Sequence, residues 1–287
     1  MISVVIITRD RTADLLKAIN SCLAQTYKDV EYIIVDNASE QRSDSCLDSL
    51  FLGAEIKNYR YLYSEQNLGV AEGRNLGFSL AKGAICFFLD DDAVIADVNV
   101  FDKAIRLLEN DDALVALACN INQPSDKKHL VSPYLNDSSK YVLTYRGGGH
   151  FIKKSFWEGE QELYPKGFLF GSEEMYTALF IYKKNKRIGY DESLVVDHFP
   201  NPIHRKNGDE RKLDIILNIF IARWHFYPNK QRAILFIIFV CHLAKNRIFN
   251  IFNVMEKFQQ RYEEKNNQMT SMEYKRYAEV VPFLLRY

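Results

Sequence analysis

Long hydrophobic runs are scarce in this chain of 287 residues. The longest, residues 233–244 with His242 inside it, is shorter than the ~20 apolar residues that a membrane-spanning helix needs. The first ten residues have no basic leader and only a short apolar run, so they read as a first strand and not as a secretory signal. Cysteine is sparse: Cys22, Cys46, Cys86, Cys119 and Cys241 are scattered, odd in number and without paired metal spacing. That excludes a disulfide scaffold and fits a reducing cytoplasm. No internal repeat and no low-complexity tract is found. Glycine is missing where a dinucleotide-binding dehydrogenase would need it, because the first apolar run is followed by Thr8-Arg9-Asp10-Arg11 in place of a glycine-rich phosphate turn. Net charge is absent too, at zero overall. From Arg205 onward 15 Lys and Arg face 8 Asp and Glu, a net +7, which leaves −7 on the first 204 residues. An acidic balance of that size repels a phosphate backbone, so no nucleic-acid partner is expected.

What is present is core material, with 47% hydrophobic and 26% charged residues. Apolar β-rich runs at 2–8, 30–36, 59–63, 84–89 and 113–119 predict strands. Helical spacing over 12–25, 70–81 and 98–109 predicts helices between them. Such alternation predicts an α/β fold with a mainly parallel sheet flanked by helices. Residues 120–140 are polar and rich in turn formers and read as a loop. Gly147, Gly148 and Gly149 interrupt a strand-like region, either to let backbone approach a ligand or to make a tight bend. A helix over 172–184 and a returning strand over 187–196 follow. Helices alone are expected beyond, at 213–226, 231–252 and 271–285. The expected division is an α/β domain at 1–205 and a C-terminal helical extension at 206–287, packed on that domain or on a membrane or oligomer surface.

Ligands of open α/β sheets bind at the carboxyl ends of the strands. Those positions hold Thr8 to Arg11, Asp36-Asn37 and Asp90-Asp91-Asp92. Three carboxylates together at the end of a buried strand repel one another. A divalent cation relieves that repulsion, and hard cations favour carboxylate oxygens. The plainer alternative, a solvated loop capping the next helix, fits poorly with a strand of almost no polar atoms before it. Asp36 is either a turn residue or a carboxylate placed for a ribose hydroxyl or a base N–H. Residues 67–77 place Arg74 and two asparagines among glycines, either as a glycine-softened helix or as a segment facing a nucleotide.

Taken in order, these segments resemble family 2 of the glycosyltransferases, which have the Rossmann-like GT-A fold. The opening is similar to the family's VIIPTYNR, and YIIVDNAS (32–39) to its nucleotide-binding VVDNGS. NLGVAEGRNLG (67–77) is similar to N-x-G-x-x-x-A-R-N-x-G, and FFLDDD (87–92) to the strand and D-x-D. Gly171-Ser172-Glu173-Glu174 resembles the helix that begins with an acidic pair, usually Glu-Asp. His198 with the following FPNP resembles the late H-x-x-S/N-P stretch. The resemblance runs from Met1 to about Arg205; each motif is short, and their order is what makes the series specific. It implies that 1–205 is the catalytic domain. It implies nucleotide-binding roles for Thr8, Arg9, Asp36, Asn67, Arg74, Asp90 and Asp91, with Asp90 on the ribose. Asp92 would bind a divalent metal, Mn2+ or Mg2+, bridging the two phosphates, and His198 would reach the metal or the pyrophosphate. Glu174 would be the general base, with Glu173 in support. Two departures stand out: Arg9 replaces an aromatic that often packs on the base, and the acidic pair is Glu-Glu.

The implied activity is inverting transfer of a sugar from a nucleoside-diphosphate sugar, with UDP-sugar the family's usual donor. The acceptor would be a hydroxyl of a glycan or lipid-linked molecule in bacterial surface-polysaccharide synthesis. Metal would stabilise the leaving diphosphate, a carboxylate would take the acceptor proton, and one displacement would invert the anomeric centre. A cytoplasmic location, at the inner face of the cell membrane, is expected. The basic tail and apolar residues 234–240, flanked by Lys230, Arg232, Lys245 and Arg247, suit peripheral membrane contact. A core or homo-oligomer helix is the alternative there. Two other functions stay open. A sugar nucleotidyltransferase would want a glycine-rich basic loop after the first strand, and a non-catalytic scaffold of a polysaccharide assembly complex would not need intact acids.

Overall fold

Residues 2–8 are buried on almost every side chain, the condition of a strand covered on both faces, and the sheet is built outward from them. The computed structural model describes the chain apart from residues 125–127, 131–132, 137, 161, 169–170, 201–207, 263–266 and 287. The expected domain boundary at Arg205, and the second half of the FPNP stretch, therefore lie outside the described residues. The first half runs β1 (Ile2–Thr8), α1 (Thr12–Leu23), β2 (Val30–Asn37), α2 (Asp44–Gly53), β3 (Tyr59–Ser64), α3 (Gly69–Leu80) and β4 (Ile85–Asp90). Next come β5 (Ala93–Ile95), α4 (Val100–Glu109), β6 (Leu114–Gln123), β7 (Lys128–Leu130), β8 (Tyr134–Leu135), β9 (Ser138–Val142) and β10 (Gly149–Lys153). After a short 3-10 turn follow α5 (Glu173–Lys183), β11 (Arg187–His198), α6 (Gly208–Phe226), α7 (Asn229–Lys245), α8 (Ile251–Arg261), α9 (Ser271–Val280) and α10 (Phe283–Arg286).

The sheet order is β3-β2-β1-β4-β10-β6-β11-β9-β8. The strands β3, β2, β1 and β4 are parallel, as the alternation predicts. Beyond β4 the expectation fails, and the sheet is mixed and not mainly parallel. β10 lies antiparallel between β4 and β6, and β9 and β5 run antiparallel to β11. The cause is connectivity. Parallel neighbours need a long crossover, usually a helix, and among the described residues none intervenes between β6 and β10. The loop expected at 120–140 likewise contains the end of β6, all of β7 and β8, and the start of β9. These are short strands at the sheet margin, where polar composition mimics a loop. Helix α2 was not foreseen either; it buries Leu47 and Phe51, the latter ring 4.4 Å from Tyr59 and 5.2 Å from Tyr32.

The C-terminal helices share one hydrophobic core with a face of the sheet, joining Val5 and Ile33 to Leu217, Phe226, Val254 and Tyr277. The single helix expected at 231–252 is two helices, because the chain turns left-handed at Arg247 (φ 57°). Helix α3 lies directly on β1. A Cβ at Gly73 would stand 3.2 Å from Ile7 Cδ1, and one at Gly77 would stand 2.4 Å from Val5 Cγ1. These glycines set the helix–sheet distance.

This close packing makes a test. Gly77→Ala gains ~1 kcal/mol of helix propensity, but overpacking a filled core costs ~1–3 kcal/mol. At 2.4 Å the clash prevails, so a lower urea midpoint is expected, by roughly 1–2 kcal/mol of stability. A midpoint at or above that of the unaltered protein would refute this role for Gly77.

Candidate active site

The carboxyl ends of β1 and β2 form one floor. Asp36 is fully buried; its Oδ1 accepts from the Ser39 N–H at 2.8 Å and its Oδ2 from the Tyr61 hydroxyl. Asp10 (φ 55°) and Ala38 (φ 66°), just past the two strands, are both left-handed, a conformation that costs L-residues ~1–2 kcal/mol. The loops are tied together where the Asp10 N–H donates to Ser39 Oγ (2.8 Å) and the Glu40 N–H to Asp10 Oδ1 (2.6 Å). Asn67 stands at the rim, its Oδ1 accepting from Asn37 Nδ2 and from the Gly69 N–H, each at 3.0 Å. Arg9 is half-exposed, with Nε 3.7 Å from Asp10 Oδ2.

At the end of β4 the three aspartates part company. β5 pairs with β11 so that Ala93 faces His198, which brings the imidazole beside the cluster. His198 Nε2 is 3.1 Å from Asp92 Oδ1 and 3.9 Å from Asp90 Oδ2. One ligand atom from each of Asp90, Asp92 and His198 lies within 4.8 Å of the others. Two carboxylates and an imidazole form a donor set that suits a small divalent cation. Asp91 is instead buried against β1, its Oδ2 accepting from Thr8 Oγ1 at 2.9 Å. Burial pushes its carboxyl up to about 7, with Asp92 adding to the shift and Arg11 opposing it. Arg11 Nη1 donates to both Asp91 Oδ1 (3.2 Å) and Asp92 Oδ2 (2.9 Å). Burial works against the Asp92 charge, but His198 and Arg11 outweigh it and hold the carboxyl below its ordinary range. Arg11 was missed from sequence; nothing in Thr8-Arg9-Asp10-Arg11 distinguishes the arginine that folds back from the one that stays at the surface.

Arg74 connects this cluster to the acidic pair. Its guanidinium is buried; Nη2 donates to Asp90 Oδ1 (2.8 Å) and to the Gly147 carbonyl (3.1 Å), and Nη1 to Glu173 Oε1 (2.8 Å). Burial disfavours its charge, but Asp90 and Glu173 outweigh that and keep it protonated. Glu173 is buried, whereas Glu174 is partly exposed with its Oε1 4.0 Å from Arg74 Nη1. Burial raises both carboxyls above their ordinary range, and for Glu174 the neighbouring Glu173 adds to the effect. The pair is delivered by two left-handed residues, Gly171 (φ 75°) and Ser172 (φ 68°), that precede α5. Gly147 leaves room for both ends: a Cβ would lie 2.7 Å from Arg74 Nη2 and 2.9 Å from Glu174 Oε1, so one or both would have to shift. Behind the arginine, His150 is stacked between Tyr145 (4.1 Å) and Phe88 (4.9 Å), with Nε2 2.6 Å from the Tyr164 hydroxyl. Burial, then the Arg74 charge, holds His150 neutral. The His150–Tyr164 backing was also not read from sequence, since a single buried histidine carries no periodic signal.

The structure thus gathers Thr8, Asp90, Asp91, Asp92, His198, Arg74, Glu173 and Glu174 at one edge, with Asp36 and Asn67 on adjoining strand ends and Arg9 outermost. Comparison with known proteins gives the class. Residues 3–175 match the family described as Glycosyl transferase family 2, and the chain belongs to it. An uncharacterized protein of Haemophilus influenzae is 32% identical over 163 residues, covering 54% of this chain and 88% of that protein. Several curated glycosyltransferases are matched over less than half of their own length. The fold is shared with the mannosyltransferase PcManGT from Pyrobaculum calidifontis, solved with GDP-Man and Mn2+. There the TM-score is 0.61 at 15% identity, over 90% of this chain and 73% of that one. It is also shared with S. aureus TarS 1-349 solved with UDP-GlcNAc, at a TM-score of 0.64 and 14% identity, over 85% of this chain and 72% of that one.

Removing one partner of a buried ion pair costs ~3–5 kcal/mol, because the other charge stays behind unpaired. Arg74→Met is expected to lose that much in chemical denaturation. Adding Glu173→Met should recover part of it, since fewer buried charges then lack a partner. A double variant no more stable than Arg74→Met would show that Glu173 is not the charge left unpaired when the guanidinium is removed.

Proposed function

We propose that this chain is an inverting, metal-dependent glycosyltransferase. It moves a sugar from a nucleoside-diphosphate sugar, with UDP-sugar as donor, to a hydroxyl of a glycan or lipid-linked acceptor in polysaccharide synthesis. One observation carries the reading: the cation-type cluster Asp90, Asp92 and His198 faces an acidic pair across the single guanidinium of Arg74. On this reading the diphosphate would lie next to the proton acceptor.

A divalent cation, Mn2+ or Mg2+, held by Asp90, Asp92 and His198 would supply Lewis-acid charge stabilisation to the departing diphosphate. Asn67 and the Ser39 loop, which the buried Asp36 holds in place, receive the nucleoside, and Arg9 reaches the phosphates from the rim. Asp90 also accepts from the ribose, and Thr8 and Arg11 fix Asp91 and Asp92 beneath it. Arg74 acts through its partners, because both Nη2 hydrogens are taken by Asp90 and Gly147 and Nη1 donates to Glu173. Glu173 is therefore the held member of the pair and Glu174 the one that meets the acceptor. The acceptor oxygen attacks the anomeric carbon as the bond to the diphosphate oxygen breaks, and that oxygen keeps the electron pair. Glu174 takes the hydroxyl proton. One displacement inverts the centre and needs no enzyme nucleophile.

Nucleotide release over a panel of donors, with and without Mn2+ or Mg2+, tests the assignment. Asp92→Asn should abolish transfer while circular dichroism shows the fold retained. Full turnover by metal-stripped protein in excess EDTA would overturn the metal role.

Glu174→Gln keeps size and hydrogen bonding but removes the proton acceptor, so turnover should fall ~10²–10⁴-fold with donor affinity nearly unchanged. The pH profile has a defined sign. The base works only when deprotonated, so kcat/KM rises with pH through the Glu174 pKa and levels off above it. Because burial and Glu173 raise that pKa, the limb should lie above the ordinary carboxylate value of about 4.3. Glu174→Gln should lack this limb. A dead Glu173→Gln beside a fully active Glu174→Gln would reassign the base.

A further inference from the structure

Helix α7 is apolar on the side turned away from the protein as well as on the side that packs. Leu235, Phe239 and Leu243 are buried, and Phe239 stacks on Phe220 of α6 at 4.1 Å. Phe236 and Val240 are exposed, and Ile237 is 63% exposed. The surface continues through the connection to α8, where Phe249 is 72% and Phe252 is 90% exposed. Helix α8 packs on the same ring, with Phe258 6.2 Å from Phe220, so α6 carries both helices. An exposed apolar surface of this kind marks an interaction site.

Charge decides what it meets. No Asp or Glu occurs between residues 229 and 255, while Lys230, Lys245 and Arg247 are exposed at the two ends of α7. A second copy docking here by two-fold symmetry would bring equal surfaces together. It would then set these three cations against one another, with the exposed Glu256, one turn past Phe252 on α8, as the one acid bordering the patch on each copy. An anionic lipid surface satisfies both features, taking the apolar side chains below its headgroups and the cations among them. No helix among the described residues is long and apolar enough to cross a membrane. At ~1.5 Å per residue, the 17 residues of α7 make a helix shorter than the ~30 Å core of a bilayer.

We propose that the outward face of α7, with Phe249 and Phe252 of the following connection and helix, is an interfacial anchor that seats the chain on an anionic bilayer. Helix α6 carries the anchor and also holds the loop before the acidic pair, where Asn218 Nδ2 donates to the Gly171 carbonyl at 2.7 Å. A membrane-bound acceptor would be met by a site fixed to the same helix. The anchor itself does not depend on the transferase reading.

The test is flotation of the full chain with vesicles of phosphatidylcholine alone and of phosphatidylcholine with phosphatidylglycerol. The protein should float with the mixed vesicles at low salt, less at high salt, and little with phosphatidylcholine alone. Ile237→Ser with Phe252→Ser should cut partitioning roughly tenfold or more, with melting temperature and nucleotide release unchanged. Lys245→Glu with Arg247→Glu should remove the preference for phosphatidylglycerol. No flotation of the unaltered chain at low salt, or flotation undiminished in the Ile237/Phe252 variant, overturns the proposal. So does a dimer in solution that the same variant dissociates while neither protein floats, which would make the face a contact between copies. Loss of vesicle binding with intact nucleotide release would leave the transferase assignment standing.

Discussion

The guanidinium of Arg74 is the interaction on which the site depends. It is buried between the end of β4 and the start of α5, and two of its three acceptors, Asp90 and Glu173, are carboxylates. A buried arginine is tolerable only when so paired, and the pairing dictates the backbone around it. Gly147 gives the guanidinium its room, since a Cβ there would displace Nη2. Gly171 and Ser172 must turn left-handed so that α5 begins with Glu173 facing inward. Helix α3, which bears Arg74, must lie close on β1, and Gly73 and Gly77 permit that.

Charge balance follows from the same constraint. Arg11 and Arg74 are the two arginines set among five carboxylates: Asp90, Asp91, Asp92, Glu173 and Glu174. Burial makes Asp91, Glu173 and Glu174 hold their protons more tightly than free carboxyls, and the two arginines are too little positive charge to offset it. Asp92 escapes because His198 and Arg11 flank it. An edge with this deficit favours an added cation, and it keeps Glu174 poised nearer neutrality than an ordinary carboxylate. The two demands of the proposed reaction, charge relief for a diphosphate and a proton acceptor, thus share an electrostatic origin.

Strand ends were legible in the sequence because burial writes itself as an apolar run, and the residue that ends the run marks the edge. Asp36 and Asp90 lie at such ends, and the four parallel strands β3-β2-β1-β4 come with them. Strand direction beyond β4 was not legible, since β10 is antiparallel by connection and not by composition. Nor was the fate of Arg11. The left-handed turn at Asp10 sends Arg9 outward and Arg11 back to Asp92, and no periodicity records a single φ. The break between α7 and α8 was hidden for the same reason, at Arg247. Glycines 73 and 77 were visible, but sequence alone does not separate close packing from close approach to a ligand.

The C-terminal helices belong to the site's construction as well as to the surface. Arg261 of α8 donates to Asn218 at 2.9 Å and to Asp214 at 2.5 Å, both on α6. Asn218 in turn donates to the Gly171 carbonyl at the left-handed turn before Glu173. The family match ends at residue 175, one residue past Glu174. The shared part of the fold therefore supplies the acidic pair, while elements beyond the match fix the turn that aims it. A left-handed Ser172 needs such outside support, because strained backbone persists only where its surroundings over-determine it. A change in α8 or α6 can therefore reach the turn before Glu173 through Asn218 without altering the acids themselves.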